Sequence, residues 1–146
     1  MKQISGMKKK SLAHGFAAIL LCSASLIHVA GANSDEVLQT SGGVPYVSGG
    51  VGLDSIDRLS SLAAEFNLKL VFALRSGEYL SGVRVVVVNA AGRTLLDTTS
   101  EGPWFLTRLP AGNYQVTATF EGQAQKRHIA VGAARLRTVD FRWASE

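Results

Sequence analysis

Residues 109–122 read Leu109-Pro110-Ala111-Gly112-Asn113-Tyr114-Gln115-Val116-Thr117-Ala118-Thr119-Phe120-Glu121-Gly122. A turn rich in proline and glycine is followed by apolar residues that alternate with polar ones, the pattern of a strand with one buried face. Pro110 presets its own φ and Gly112 permits a positive φ, so both suit a tight turn. Glu121 and Gly122 form a second turn signal ahead of another strand. The stretch therefore predicts consecutive antiparallel hairpins.

The residues just before this stretch extend the pattern. They read Thr99-Ser100-Glu101-Gly102-Pro103-Trp104-Phe105-Leu106-Thr107-Arg108-Leu109. With the turn and the tyrosine that follow, they resemble the signature of carboxypeptidase regulatory-like domains, which are transthyretin-like β-sandwiches. Ser100 stands where that signature usually has an aspartate, and Leu106 replaces its second aromatic residue. The resemblance covers about residues 81–143 and implies a fold without a particular activity. Taken whole, the chain is also similar to small exported bacterial proteins of unknown function that carry this domain.

The amino end has the three parts of a secretory leader. Lys2 and a run of three lysines, Lys8-Lys9-Lys10, precede an apolar stretch, and Ala30-Gly31-Ala32 supplies the small residues that a signal peptidase recognises. Histidines and serines interrupt the apolar stretch, which makes it a poor membrane span. We predict that residues 1–32 are cleaved and that the protein is periplasmic. The alternative is an uncleaved membrane anchor.

Cleavage would change both charge and chemistry. Four of the 15 Lys and Arg residues lie in the leader, so 11 remain against 11 Asp and Glu. A neutral exported chain gives no reason to expect nucleic acid as a partner. No cysteine remains after cleavage, and His128 is the one remaining histidine. Disulfides and cysteine-based metal sites are thereby excluded, and we predict neither a metal nor a cofactor.

Residues 33–66 show two different patterns. Residues 33–53 contain the repeated segments Ser41-Gly42-Gly43-Val44 and Ser48-Gly49-Gly50-Val51, and this glycine content predicts a flexible lead-in. From Asp54, which suits a helix N-cap, apolar residues recur at helical spacing. These residues are Ile56, Leu59, Leu62, Ala63 and Phe66. We predict an amphipathic helix over residues 54–66.

Residues 67–143 have the alternation and turn signals of β-structure throughout. The pattern predicts seven strands, over residues 68–74, 82–89, 93–98, 104–109, 114–120, 124–131 and 135–143. Leu136 is out of phase with the apolar residues that follow it and is a candidate bulge. The fold class predicted is therefore all-β: a seven-stranded transthyretin-like β-sandwich preceded by one amphipathic helix.

One apolar surface does not fit a simple alternation of buried and exposed positions. The valine-rich strand should bury Val83, Val85 and Val87, which turns Val86 and Val88 outward. By the same logic Trp104 and Leu106 join Tyr114 in the core, and Phe105 points out. We therefore assign Val86, Val88 and Phe105 as a candidate partner surface. The predicted helix is a candidate cover for this surface, and the alternative is that a partner binds there.

The residues favour a non-catalytic binding or structural module that docks another envelope protein. A carbohydrate-binding module with exposed aromatic residues is one alternative, and a small hydrolase that uses His128 as its base is another. His128 shares a strand face with Lys126, opposite Ile129, which places it outward and away from a partner acid. The related hydroxyisourate hydrolases carry several histidines and a Tyr-Arg-Gly-Ser terminus, neither of which occurs in residues 33–146. We therefore predict no enzymatic activity.

We expect the exported protein to begin near Asn33, because lysines, an apolar stretch and an Ala-x-Ala site follow one another in the order of a cleaved leader. Intact-mass measurement of the periplasmic fraction checks this expectation. Recovery of a membrane-bound form that retains residues 1–32 would contradict it.

Overall fold

A computed structural model describes residues 38–144 of the 146-residue chain. The predicted leader, residues 1–32, and the start of the predicted lead-in lie outside the described residues. Within residues 38–144, none of the helical structure is long and apolar enough to cross a membrane.

The described residues form nine β-strands and one α-helix, which ends in a 3₁₀ turn. The strands are β1 (Gln39–Ser41), β2 (Val44–Gly49), β3 (Leu68–Leu74), β4 (Arg84–Asn89), β5 (Thr94–Thr99), β6 (Trp104–Thr107), β7 (Gly112–Phe120), β8 (Gln123–Val131) and β9 (Arg137–Trp143). The helix α1 spans Leu53–Leu62, and the 3₁₀ turn spans Ala63–Glu65. One sheet has the order β1-β2-β6-β3-β9 and the other the order β5-β4-β7-β8. The predicted all-β sandwich is confirmed, and its seven predicted strands are β3 to β9.

The prediction of a flexible lead-in is wrong for the described part of residues 33–53, which holds β1 and β2. Gly42 and Gly43, with φ of 58° and 83°, form the two-residue turn that joins these strands. Strand β2 lies between β1 and β6. Its consecutive residues Tyr46 and Val47 point to opposite faces of the sheet, and both are buried. A strand with two buried faces has no alternation of apolar and polar residues. Without that alternation, the glycines were the clearest feature of this segment, and they favoured a flexible lead-in.

The two sheets enclose the main core. The predicted inward valines Val83, Val85 and Val87 are fully buried, as expected. Phe72 lies at the centre, with its ring 6.0 Å from that of Phe141 between centroids. Fully burying a side chain of this size stabilises a fold by about 1.5–3 kcal/mol.

The facing predicted for β6 is wrong. Phe105 points into the main core, where it is fully buried and its ring stacks on Tyr46 with centroids 5.1 Å apart. Trp104 and Leu106 point to the opposite face of the sheet and belong to a second apolar cluster. Because β6 is an interior strand with both faces buried, all its positions favour apolar residues and the sequence does not specify which way they point.

The second cluster lies under helix α1, on the outer face of the five-stranded sheet. Leu59 of the helix is fully buried there and packs with Val47, Phe66 and Leu106. The prediction that the helix covers the face near Val86 is therefore wrong. Strand β2, which lies within the predicted lead-in where at most a short edge strand at Tyr46 and Val47 was expected, supplies the apolar surface that holds the helix in this place.

Helix α1 also differs in its ends from the predicted span 54–66. Gly52, with φ of 84°, occupies the N-cap position, so Asp54 lies in the first turn instead of capping it. There its negative charge still favours the positive end of the helix dipole. Phe66 is already extended, with φ of −117°, because it turns down into the second cluster.

Strand β9 pairs with β3, and this is the only parallel pair in the described sheets. Its register with β3 runs without interruption from the Leu68–Arg137 pair to the Leu74–Trp143 pair. The predicted bulge at Leu136 is therefore wrong, since Leu136 precedes the strand and packs against the second cluster.

Side chains close the gap between β8 and β9, which are edge strands of the two sheets. Three side-chain donors reach backbone carbonyls across it: Trp143 Nε1 to Gln123 at 2.9 Å, Gln125 Nε2 to Arg142 at 2.7 Å, and Arg137 Nη1 to Ala130 at 3.0 Å. These bonds occupy carbonyls that an edge strand would otherwise offer to another chain.

Asn67 joins the helix, β3 and two loops, and its side chain is buried, with 1% of the residue exposed. Its Nδ2 donates to the carbonyls of Leu109 at 2.7 Å and Gly132 at 3.0 Å. Its Oδ1 accepts from the Leu109 N–H at 2.9 Å. Its backbone carbonyl accepts from the Arg137 N–H at 3.0 Å, beside the start of the β3–β9 pair. Removing this amide should cost more free energy of unfolding than its own hydrogen bonds contribute, because its buried partners would be left unpaired.

We expect Asn67→Asp to lower the free energy of unfolding by at least about 3 kcal/mol, since two carbonyls lose their donor and face a carboxylate instead. Asn113→Asp makes the same chemical change at an exposed position and should stay within about 0.5 kcal/mol of the parent. Urea denaturation of the three proteins measures the difference. Equal midpoints for the two variants would contradict the role given to Asn67.

Candidate functional site

The outer face of the four-stranded sheet carries two of the three residues of the predicted partner surface. Val86 and Val88 lie half-buried on β4 and point away from the core, as predicted. The assignment of Phe105 to this surface is wrong, because that residue is fully buried between the sheets. The helix is also absent from this face, since α1 packs on the other sheet.

Polar side chains surround both valines. Strand register places Val86 level with Asp97, Thr117 and Lys126, and Val88 level with Thr94, Gln115 and His128. We call these eight residues the outer face. An apolar centre with a polar rim is the usual anatomy of a protein–protein interface.

An ion pair lies at the border of the outer face. Arg84 donates from Nε to Asp97 Oδ1 at 3.0 Å and from Nη2 to Oδ2 at 2.8 Å, which is a two-pronged contact. The hydrogen bonds to Arg84 lower the pKa of Asp97, and those to Asp97 raise the pKa of Arg84. Both side chains are largely exposed, so the ion pair adds little to the stability of the fold. Its main effect is to hold the two side chains in one orientation at the rim.

Trp104 was predicted as a core residue, and an exposed tryptophan at this position would instead suit the carbohydrate-binding alternative. Its ring is half-buried, and Lys69 Nζ lies 3.1 Å from the ring centroid. Burial lowers the pKa of Lys69, and the charge of Asp140 opposes that shift. A Cβ added at Gly50 would come within 3.0 Å of the indole, so the glycine is needed for the loop to pass the ring. Trp104 is thus held in a packed structural position.

His128 is exposed on the outer face, as its strand pattern predicted. It makes no hydrogen bond to a carboxylate within residues 38–144, and so it lacks the orienting acid of a hydrolytic triad there. Across the same residues, no group of three or more His, Cys, Asp and Glu side chains is placed to hold a metal ion.

A cleft of about 660 Å³ opens at one end of the outer face. It is lined by Val88, Asn89, Ala90, Gly92, Asn113, Tyr114, Gln115, His128, Ile129, Ala130 and Arg137. Arg137 comes from β9 of the other sheet, and the remaining residues come from β4, β7, β8 and the turn after β4. Sequence reasoning missed this cleft because its members meet only once the two sheets are stacked.

Tyr114 forms the inner wall of the cleft and is 6% exposed. Its hydroxyl donates to the Pro110 carbonyl at 2.5 Å, across the turn that precedes the strand. Burial raises the pKa of this phenol above its ordinary value.

The two-sheet topology and its Pro/Gly turn leading to a buried tyrosine define a β-sandwich of the transthyretin type. The family model of the carboxypeptidase regulatory-like domain matches residues 71–144, and the chain belongs to this family. The domain is a non-catalytic module with a binding or structural role. None of the curated proteins compared with the chain matches it. The matched residues include β4 to β9, and therefore the outer face and the cleft.

The raised pKa of Tyr114 predicts a loss of stability at alkaline pH. As the pH rises through about 10, the unfolded phenol releases its proton while the folded one keeps it, so the free energy of unfolding falls above that pH. Tyr114→Phe should remove this part of the decline, and Tyr79→Phe, at a residue that is 66% exposed, should retain it. Denaturation from pH 8 to about 11 measures the slopes. Parallel curves for the two variants would contradict the assignment.

Proposed function

We propose that the protein is an exported, non-catalytic module that docks another envelope protein in the periplasm through the outer face. One observation carries the proposal: α1 covers the outer surface of one sheet, whereas the other sheet presents Val86 and Val88 at the centre of a polar rim. The leader pattern of residues 1–32 supports export. Membership of a non-catalytic domain family supports binding over chemistry.

The geometry gives less support to the two alternatives. A sugar that stacked on Trp104 would compete with Lys69, which already lies over that ring. A hydrolase would need a partner for His128, and no carboxylate is hydrogen-bonded to it in the described part of the chain. A face with two central valines and a mixed polar rim suits a folded protein surface better than either substrate.

Docking is tested with Val86→Lys, which places a charge at the centre of the outer face. Val51→Lys is the matched control, since Val51 is 68% exposed and precedes the helix on the other sheet. A protein captured from periplasmic extract by the parent is identified by mass spectrometry, purified, and titrated against all three proteins. We expect Val86→Lys to weaken binding at least about tenfold, because an apolar contact centre would have to desolvate the new charge, and Val51→Lys to leave it unchanged.

Two results would overturn the docking proposal. One is the absence of a reproducible partner at near-equimolar yield, and the other is a partner that binds parent and Val86→Lys equally. Circular dichroism and sedimentation of both variants establish that they are folded and monodisperse before the comparison is made.

A further inference from the structure

We propose that the cleft at the end of the outer face binds a small hydroxylated organic carboxylate, with Arg137 as the group that recognises the charge. This proposal concerns a small ligand and does not rest on the protein-docking role. It stands on the position of Arg137, the fixed direction of one amide, and the absence of acids from the lining of the cleft.

The side chain and the backbone of Arg137 are each held by one hydrogen bond. Its Nη1 donates to the Ala130 carbonyl at 3.0 Å, and its backbone N–H donates to the Asn67 carbonyl at 3.0 Å. A guanidinium has five N–H donors, so most of them remain for a ligand after the contact with Ala130. Arg137 therefore offers a charged donor set whose position the fold already determines.

Asn89 adds a donor with a fixed direction. Its Oδ1 accepts the N–H groups of Ala91 at 3.1 Å and Arg93 at 2.9 Å, in the turn between β4 and β5. Both acceptor sites of the oxygen are then occupied, and the amide nitrogen is the end that remains for other contacts. Within the described residues that nitrogen makes no hydrogen bond, so it is available to a ligand oxygen.

The rest of the lining selects for an anion with a polar body. Arg137 is the one Arg or Lys among the lining residues, none of which is Asp or Glu. The Tyr114 hydroxyl is already committed to Pro110. Asn113 and Gln115 can donate to or accept from ligand hydroxyls, and Val88 supplies an apolar contact. A volume of about 660 Å³ lies within the range of small-molecule sites.

Carboxylate fits this arrangement because the guanidinium of Arg137 has donors left that can bond both carboxylate oxygens, and charge-assisted bonds of this kind are the strong ones. The hydroxyl-bonding amides further along the cleft favour a polyhydroxylated body. A uronic acid is the simplest probe with both features.

The test uses sodium glucuronate, with glucose as the neutral counterpart and inorganic phosphate as the alternative anion. Amide chemical shifts of the isotope-labelled protein are followed during each titration. We expect glucuronate to move the signals of Asn89, Gln115 and His128 in a saturable way, and glucose to bind at least about tenfold more weakly because it lacks the charge.

Three variants assign the effect to residues. Arg137→Gln should weaken glucuronate binding at least about tenfold, whereas Arg135→Gln, which removes the same charge outside the cleft, should change it less than about twofold. Asn89→Asp keeps the oxygen acceptors of the turn and replaces the ligand-facing donor with a negative charge, so it should abolish binding while the protein stays folded.

The proposal is overturned if glucuronate produces no saturable shifts, or if glucose binds as well as glucuronate. Equal losses in Arg137→Gln and Arg135→Gln would show a long-range charge effect and would also overturn it. Phosphate binding as tight as that of glucuronate, lost in Arg137→Gln, would overturn the selection for carboxylate.

Discussion

The buried amide of Asn67 is the constraint on which the arrangement of the sandwich depends. It is bonded to the loop before β7 through Leu109 and to the loop before β9 through Gly132, and its carbonyl receives the Arg137 N–H. The two bonds to Leu109 are buried, and an unpaired polar group there would be costly. The start of β9, and with it the side chain that lines the cleft, is thus placed by a residue outside the cleft.

The parts of the fold that could be predicted from sequence are those with one buried face and one exposed face. Strands β4, β7 and β8 lie in the sheet whose outer face has no helix over it. Their alternation of apolar and polar residues predicted both where the strands lie and which of their side chains point inward. Strands β2 and β6 lie in the middle of the other sheet, between a core and a helix. When both faces of a strand are apolar, no alternation shows which side chains point inward. The residues of β2 were therefore predicted as a flexible lead-in with at most a short edge strand, and Phe105 was predicted to point outward.

The candidate site also has one part that could be predicted from the sequence and one part that could not. Val86 and Val88 could be placed on the outer surface because their neighbours Val85 and Val87 mark the inside. The cleft could not be predicted, since Arg137 reaches it from the opposite sheet and Asn89 is aimed by a turn whose hydrogen bonds depend on three-dimensional detail. The nearest signal in the sequence was Asn89 followed by Ala90, Ala91 and Gly92, a turn pattern in which asparagine often bonds its own backbone.

The parallel pairing of β9 with β3 governs when this fold can be completed. Leu68 pairs with Arg137, so all four strands of the second sheet, and β6 as well, lie between the two partners in the sequence. Contacts this far apart in sequence form late, because the chain between them must first be ordered. Phe72 and Phe141 meet only when β9 arrives, and until then the five-stranded sheet has an unfinished side. The sandwich therefore cannot close before the last residues of β9 have been synthesised.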